Sequence, residues 1–170
     1  DVYNIYHNTF LFPENNQTGN IAAIGFEPGT NFNPAVDDSI KALFRLGNNI
    51  IVNHNNTASS YGIHWPLKNG LQFSNYNNIF VSGANAHVGY WDNAPRTTLA
   101  NWQTASSSDA NSVSKGVTFV SNIDLHLAGT SVGDFDLAGM PVPWINSDID
   151  GDPRDPVKPY KGADEADIPL

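Results

Sequence analysis

Asn8-Thr9-Phe10-Leu11-Phe12, Asn48-Asn49-Ile50-Ile51-Val52 and Asn77-Asn78-Ile79-Phe80-Val81 share one pattern. Each is a polar corner followed by a short β-prone apolar run. The offsets between them are 40 and 29 residues, and Ser114–Val120 is a weaker fourth copy. Other short strand candidates lie between the copies: 21–26, 42–46, 62–65 and 71–73. They are too short for helices and are punctuated by Gly, Asn or Pro. A corner-plus-strand unit repeated with variable loops is the signature of a solenoid whose coils stack at about 4.8 Å. No regular alternation marks a wet sheet face. An antiparallel sandwich is the alternative with many short strands.

The chain holds 22 Asn among 170 residues. Asn tolerates the left-handed backbone region and bonds its own neighbours. At aligned corners it can form a polar ladder. One segment departs from the pattern: Thr97–Ala105 offers a Thr cap and places Leu99, Trp102 and Ala105 on one helical face. Residues 124–170 hold ten of the seventeen acidic residues, three basic ones and six prolines. This stretch is expected to be irregular chain covering the last coil.

The formal net charge is −9 and the pI is near 4.6. A nucleic-acid binder needs a basic face, so that class is disfavoured. An acidic surface also disfavours anionic lipid, and no apolar run is long enough to span a bilayer. There is no cysteine, hence no disulfide framework and no thiolate site.

The order Leu99-Ala100-Asn101-Trp102-Gln103, Asp109-Ala110-Asn111-Ser112, Val117–Val120, Asp124-Leu125-His126-Leu127 and Gly129-Thr130-Ser131 continues into two closing motifs. These are Asp148-Ile149-Asp150-Gly151-Asp152-Pro153-Arg154 and Lys161-Gly162-Ala163-Asp164-Glu165. Together they resemble the C-terminal part of secreted bacterial right-handed parallel β-helix proteins. The resemblance implies an all-β, right-handed parallel β-helix of about four to six coils. It implies coils over 1–123 with a short helix near 97–105, and a last coil with an acidic proline-rich cap over 124–165. Residues 166–170 resemble the start of a linker to a further domain. The resemblance also implies a bacterial extracellular or cell-surface location. Arg154, Asp164 and Glu165 would then serve structural closure. Members of that family include polysaccharide-active enzymes and adhesin-like proteins.

Asp148, Asp150 and Asp152 offer three carboxylates at alternate positions, part of a calcium shell. The spacing is not that of an EF-hand, and pairing with Arg154 or with turn amides is the structural reading. No other cofactor is expected. The five histidines lack metal-ligand spacing, although His7 and His54 occupy related positions and were candidates for a stacked pair. His126 belongs to the closing pattern. A lyase would need a cation and a base, for which Lys41, Arg45, Lys68, Asp37 and Asp38 are the candidates. Tyr61, Trp65, Tyr76, Tyr90 and Trp91 are candidates for an aromatic strip stacking on sugar rings. The sequence therefore points to an extracellular structural or adhesive module, partnered by itself end to end or by a polysaccharide. A fragment of a polysaccharide lyase or glycoside hydrolase, and carbohydrate binding without turnover, are the alternatives.

Overall fold

The computed structural model describes residues 1–14, 19–26, 43–56, 59–168 and 170. The chain passes three times through three small sheets. The first pass is β1 (Val2–Tyr6), β2 (Thr9–Phe12) and β3 (Ile21–Gly25). The second is β4 (Leu43–Gly47), β5 (Ile50–Asn53) and β6 (Ser60–Trp65), and the third is β7 (Leu71–Asn75), β8 (Asn78–Val81) and β9 (Ala86–Trp91). Each sheet takes every third strand, so β1-β4-β7, β2-β5-β8 and β3-β6-β9 run parallel. β10 (Ala94–Arg96) then turns back antiparallel on β9 through Asp92-Asn93. Both turn residues have positive φ, 51° and 56°, as a two-residue type I′ hairpin demands. Helix α1 (Leu99–Ser106) follows.

The expected right-handed β-helix of four to six coils is corrected by this arrangement. The strands form separate sheets of three, three and four strands, one edge is antiparallel, and residues 107–170 contribute only isolated bridges and short helical turns. The Ser114–Val120 copy forms no strand, for a local reason. Val113 makes one parallel bridge to Asn78, and then the Asn78 side chain takes over. Its Oδ1 accepts from Lys115 N at 2.9 Å, and its Nδ2 donates to Lys115 O at 2.9 Å. The side chain occupies the groups a continuing strand would need, and the chain departs.

The interior between the sheets holds Leu46, Ile51, Ile63, Trp65, Ile79, Val88, Trp91 and Trp102. Thr98 caps α1, accepting from Asn101 N at 3.2 Å. The helix drives Trp102 into this core over Gly89, where any Cβ would lie 2.2 Å from the indole Cε3. Trp102 Nε1 donates to Asp109 Oδ2 at 2.7 Å.

The three Asn corners align. His7, Asn48 and Tyr76 each adopt positive φ, 53° to 56°. The Asn that follows each then bonds to the next pass. Asn8 N donates to Asn49 Oδ1 and Asn49 N donates to Asn77 Oδ1, each at 3.0 Å. Asn77 N ends the ladder on Ser112 Oγ at 2.8 Å, and Asn77 Nδ2 donates to Asp109 Oδ1 at 2.9 Å. Asp109 thus joins the ladder to the buried indole of α1.

The tail over 124–165 holds isolated bridges and two short 3-10 turns. It packs on the outer face of β2-β5-β8, where Leu127, Leu137 and Tyr160 form a second core with Ile50 and Val52. It reaches back to the first two passes: Ala163 N donates to Thr9 Oγ1 at 2.9 Å, and Gly162 N to Asn48 O at 2.7 Å. Gly162 has φ +90°, and a Cβ there would meet Thr9 Oγ1 at 2.7 Å and Ile50 Cδ1 at 2.8 Å. With cores on both sides, β5 is buried throughout, which is why Ile50, Ile51 and Val52 do not alternate with polar residues.

Candidate functional site

The five aromatic candidates do not form one strip. Trp65 and Trp91 are interior, at 1% and 6% exposure. Tyr76 sits at the left-handed corner between β7 and β8. Tyr61 and Tyr90 share the outer face of β6 and β9 with His64 and His87. Tyr61 stacks on His87 at 5.3 Å, and His64 on Tyr90 at 4.6 Å with planes 10° apart. Partners within each stack face along the strand-to-strand direction, so the faces between them are already occupied. The sheet does not offer these rings as an open platform.

A cleft of about 820 Å³ lies instead between β10, α1 and the segment that carries Lys68. Lys68, Asp92 and Arg96 supply its charge; Pro95 and Ala105 supply apolar wall; Thr97, Asn101 and Thr104 supply polar groups. The I′ turn places Asp92 for an ion pair with Lys68 Nζ at 3.0 Å. Arg96 Nη2 donates to Trp91 O at 3.1 Å, while its buried Nε has no hydrogen bond among the described residues. The cleft therefore carries two cations and one carboxylate on a chain of net charge −9. Of the cation candidates in the sequence, Lys68 lies here. Arg45 lies elsewhere and donates to Gln72 Oε1 at 2.8 Å. Lys41, Asp37 and Asp38 fall outside the described residues. Arg96 had no signal beyond its charge, because only the hairpin and helix bring it beside Lys68.

The acidic tail contains a second polar cluster. Asp148 is saturated: Oδ1 accepts from Asp150 N and Asp152 N, each at 2.9 Å, and Oδ2 from Glu165 N at 3.0 Å. Burial pushes its carboxyl up, but those three amides and Arg154 outweigh burial and hold it below the usual range. Asp152 is exposed and Asp150 turns toward His126, so Asp148, Asp150 and Asp152 do not converge.

Arg154 is the tail's cross-link. Nη1 pairs with Glu165 Oε2 at 3.1 Å, and Nη2 donates to Gly162 O at 3.0 Å and Ala163 O at 2.9 Å. Burial lowers the Arg154 pKa and raises that of Glu165, opposed in each case by the other's charge. Asp164 accepts from Leu127 N at 2.7 Å, and burial raises its carboxyl pKa.

His126 is what the sequence reading left as structure alone. Its Nδ1 bonds Asp124, and its Nε2 lies 2.6 Å from Asp150 Oδ2. Hydrogen bonds to both carboxylates raise its pKa to about 9, the Asp124 bond contributing most. Ligand atoms of His126, Asp150 and Asp164 all lie within 4.8 Å of one another. His7 and His54 are not neighbours. His7 bonds Asn48 and Tyr160 O, whereas His54 bonds Ser82 Oγ at the far end of the β2 row.

Among the described residues no helix is long and apolar enough to cross a membrane. Comparison with protein-family models, with curated proteins and with solved structures gives no match.

Proposed function

We propose that this chain is a non-catalytic, extracellular adhesive module that holds an acidic polysaccharide in the cleft beside α1. The observation that carries this reading is that one cleft of an otherwise strongly acidic chain is lined by both Lys68 and Arg96, with Asp92, on Lys68, as its one carboxylate among the described lining residues. A uronate carboxylate needs a cation, and a guanidinium suits it because it can bind both oxygens. Pro95 and Ala105 give the sugar rings an apolar wall, and Asn101 and Thr104 lie within the same cleft for hydroxyl groups.

A glycoside hydrolase is disfavoured by the lining. A glycoside hydrolase needs two carboxyl groups roughly 5 to 9.5 Å apart across the scissile bond. Among the described lining residues there is one, Asp92, and it is paired with Lys68. The ladder and the two cores supply a rigid support for such a cleft.

The test is calorimetric titration with a uronate oligosaccharide and with its neutral counterpart. Saturable binding of the acidic chain is expected, weakening with salt and lost in K68E and R96Q. Equal binding of the neutral sugar, or full binding by both variants, would refute the reading. Release of an unsaturated product or of new reducing ends would replace it with an enzymatic one.

A further inference from the structure

We propose that His126 Nε2, Asp150 and Asp164 form a site for one divalent cation of the zinc class, which fastens the closing segments of the tail together.

The three residues come from separate stretches; the side chains of His126 and Asp164 and the backbone of Asp150 are held by bonds outside the trio. Asp164 reaches Leu127 N through Oδ2. Asp150 has its amide on Asp148 Oδ1. His126 has its Nδ1 taken by Asp124, which leaves Nε2 as the nitrogen facing Asp150. A carboxylate on the far nitrogen is the usual support of a metal-ligating histidine, because it fixes both tautomer and ring orientation. This positioning group marks a ligand site as distinct from a patch of acids. Charge points the same way. Asp124, Asp150 and Asp164 face a single imidazole, an excess of carboxylate that a dication offsets.

The donor set selects the ion. Calcium takes six to eight oxygens and magnesium an octahedron of them, whereas one imidazole and two carboxylates suit zinc-class ions. Zinc ligands sit at about 2.0–2.2 Å. Around such an ion the His126–Asp150 pair, now 2.6 Å apart, opens, and the wider separations, up to 4.8 Å, close. Metal binding releases to solvent the proton now shared by Nε2 and Asp150. The side chains of His126 and Asp150 are 42% and 52% exposed, which leaves room for entry and for a water as fourth ligand. This ligand set also differs from the Asp148, Asp150 and Asp152 set suggested by the motif, sharing only Asp150.

The experiment uses the full chain, stripped with a chelator and titrated with zinc chloride alone and calcium chloride alone. The expected result is one zinc per chain, a raised thermal midpoint with zinc, and no response to calcium. H126Q, at a half-buried position, and D150N, at an exposed one, should fold as wild type by circular dichroism and lose the zinc response. D124N should weaken zinc about 10- to 100-fold, and D152N should bind as wild type. Absence of a saturable zinc signal, zinc binding retained in H126Q, loss in D152N, or preferential binding of calcium would each overturn the proposal.

Discussion

Replacing Asn77 by Ala removes the last Asn of the corner ladder. Asn77 is fully buried, and its side chain bonds to three neighbouring segments. Oδ1 accepts from both Asn49 N and Asn49 Nδ2, each at 3.0 Å. Nδ2 donates to Asp109 Oδ1 at 2.9 Å, Ser74 Oγ at 3.1 Å and Leu46 O at 3.3 Å. In the Ala variant the Asn49 amide has no acceptor and the buried Asp109 carboxylate has one donor fewer. Each buried group left unsatisfied costs about 1–3 kcal/mol. Two or three such groups give about 3–6 kcal/mol, against a total stability on the order of 5–15 kcal/mol. Asn8 provides the contrast. It is exposed, its side chain donates to Tyr6 O at 2.9 Å, and water replaces that bond, so N8A should cost under about 1 kcal/mol. N77D should be worse than N77A, because it puts a second carboxylate against Asp109. Urea unfolding followed by the fluorescence of buried Trp65, Trp91 and Trp102 reads all three variants. A midpoint for N77A equal to that of N8A would refute the ladder's role.

Gly89→Ala should destabilise by about 1–3 kcal/mol, because Trp102 cannot withdraw from a new Cβ while Asp109 holds its indole; Gly25→Ala, with nothing nearer than 3.9 Å among the described residues, is the neutral control in the same urea assay. Arg154→Leu leaves the buried Glu165 carboxylate unpaired and should cost about 3–5 kcal/mol, seen as early proteolysis of the tail; wild-type resistance would contradict the cross-link. His7 is buried and neutral, with its pKa lowered to about 4 chiefly by burial and then by Arg154. The unfolded chain binds the proton more readily, so this contribution is complete above about pH 6.5 and is lost between pH 6.5 and 4, amounting to about 3 kcal/mol. His7→Asn should lack that part of the pH dependence, and parallel stability curves for the two proteins would rule it out.

The repeated corners were legible because their determinants are local. An Asn after a left-handed residue, followed by a short apolar run, can be read without knowing its neighbours, and Asn49 and Asn77 carry that pattern. The unequal offsets of 40 and 29 residues come from the loops and leave the register intact. What ends the ladder was not legible, since Ser112 and Asp109 reach Asn77 from 35 and 32 residues away. The fourth copy failed because the Asn78 side chain outcompetes a further strand. Alternation along β6 misleads for a structural reason. The pairing skips Gly62, where a Cβ would meet Ile79 at 2.5 Å, so Tyr61 and His64 share the outer face while Trp65 turns inward. The cleft and the His126 cluster are both made by long-range meetings, Lys68 with Asp92 and His126 with Asp150 and Asp164, which no spacing rule encodes.

Whether an acidic glycan sits beside α1 is decided by following backbone amide and indole resonances of the isotope-labelled chain during titration with a uronate oligosaccharide. Saturable shifts should centre on Lys68, Arg96, Thr97 and Asn101, with the Tyr61, His64, His87 and Tyr90 face unmoved. Shifts centred on that aromatic face, or none that saturate, would contradict the assignment of the cleft.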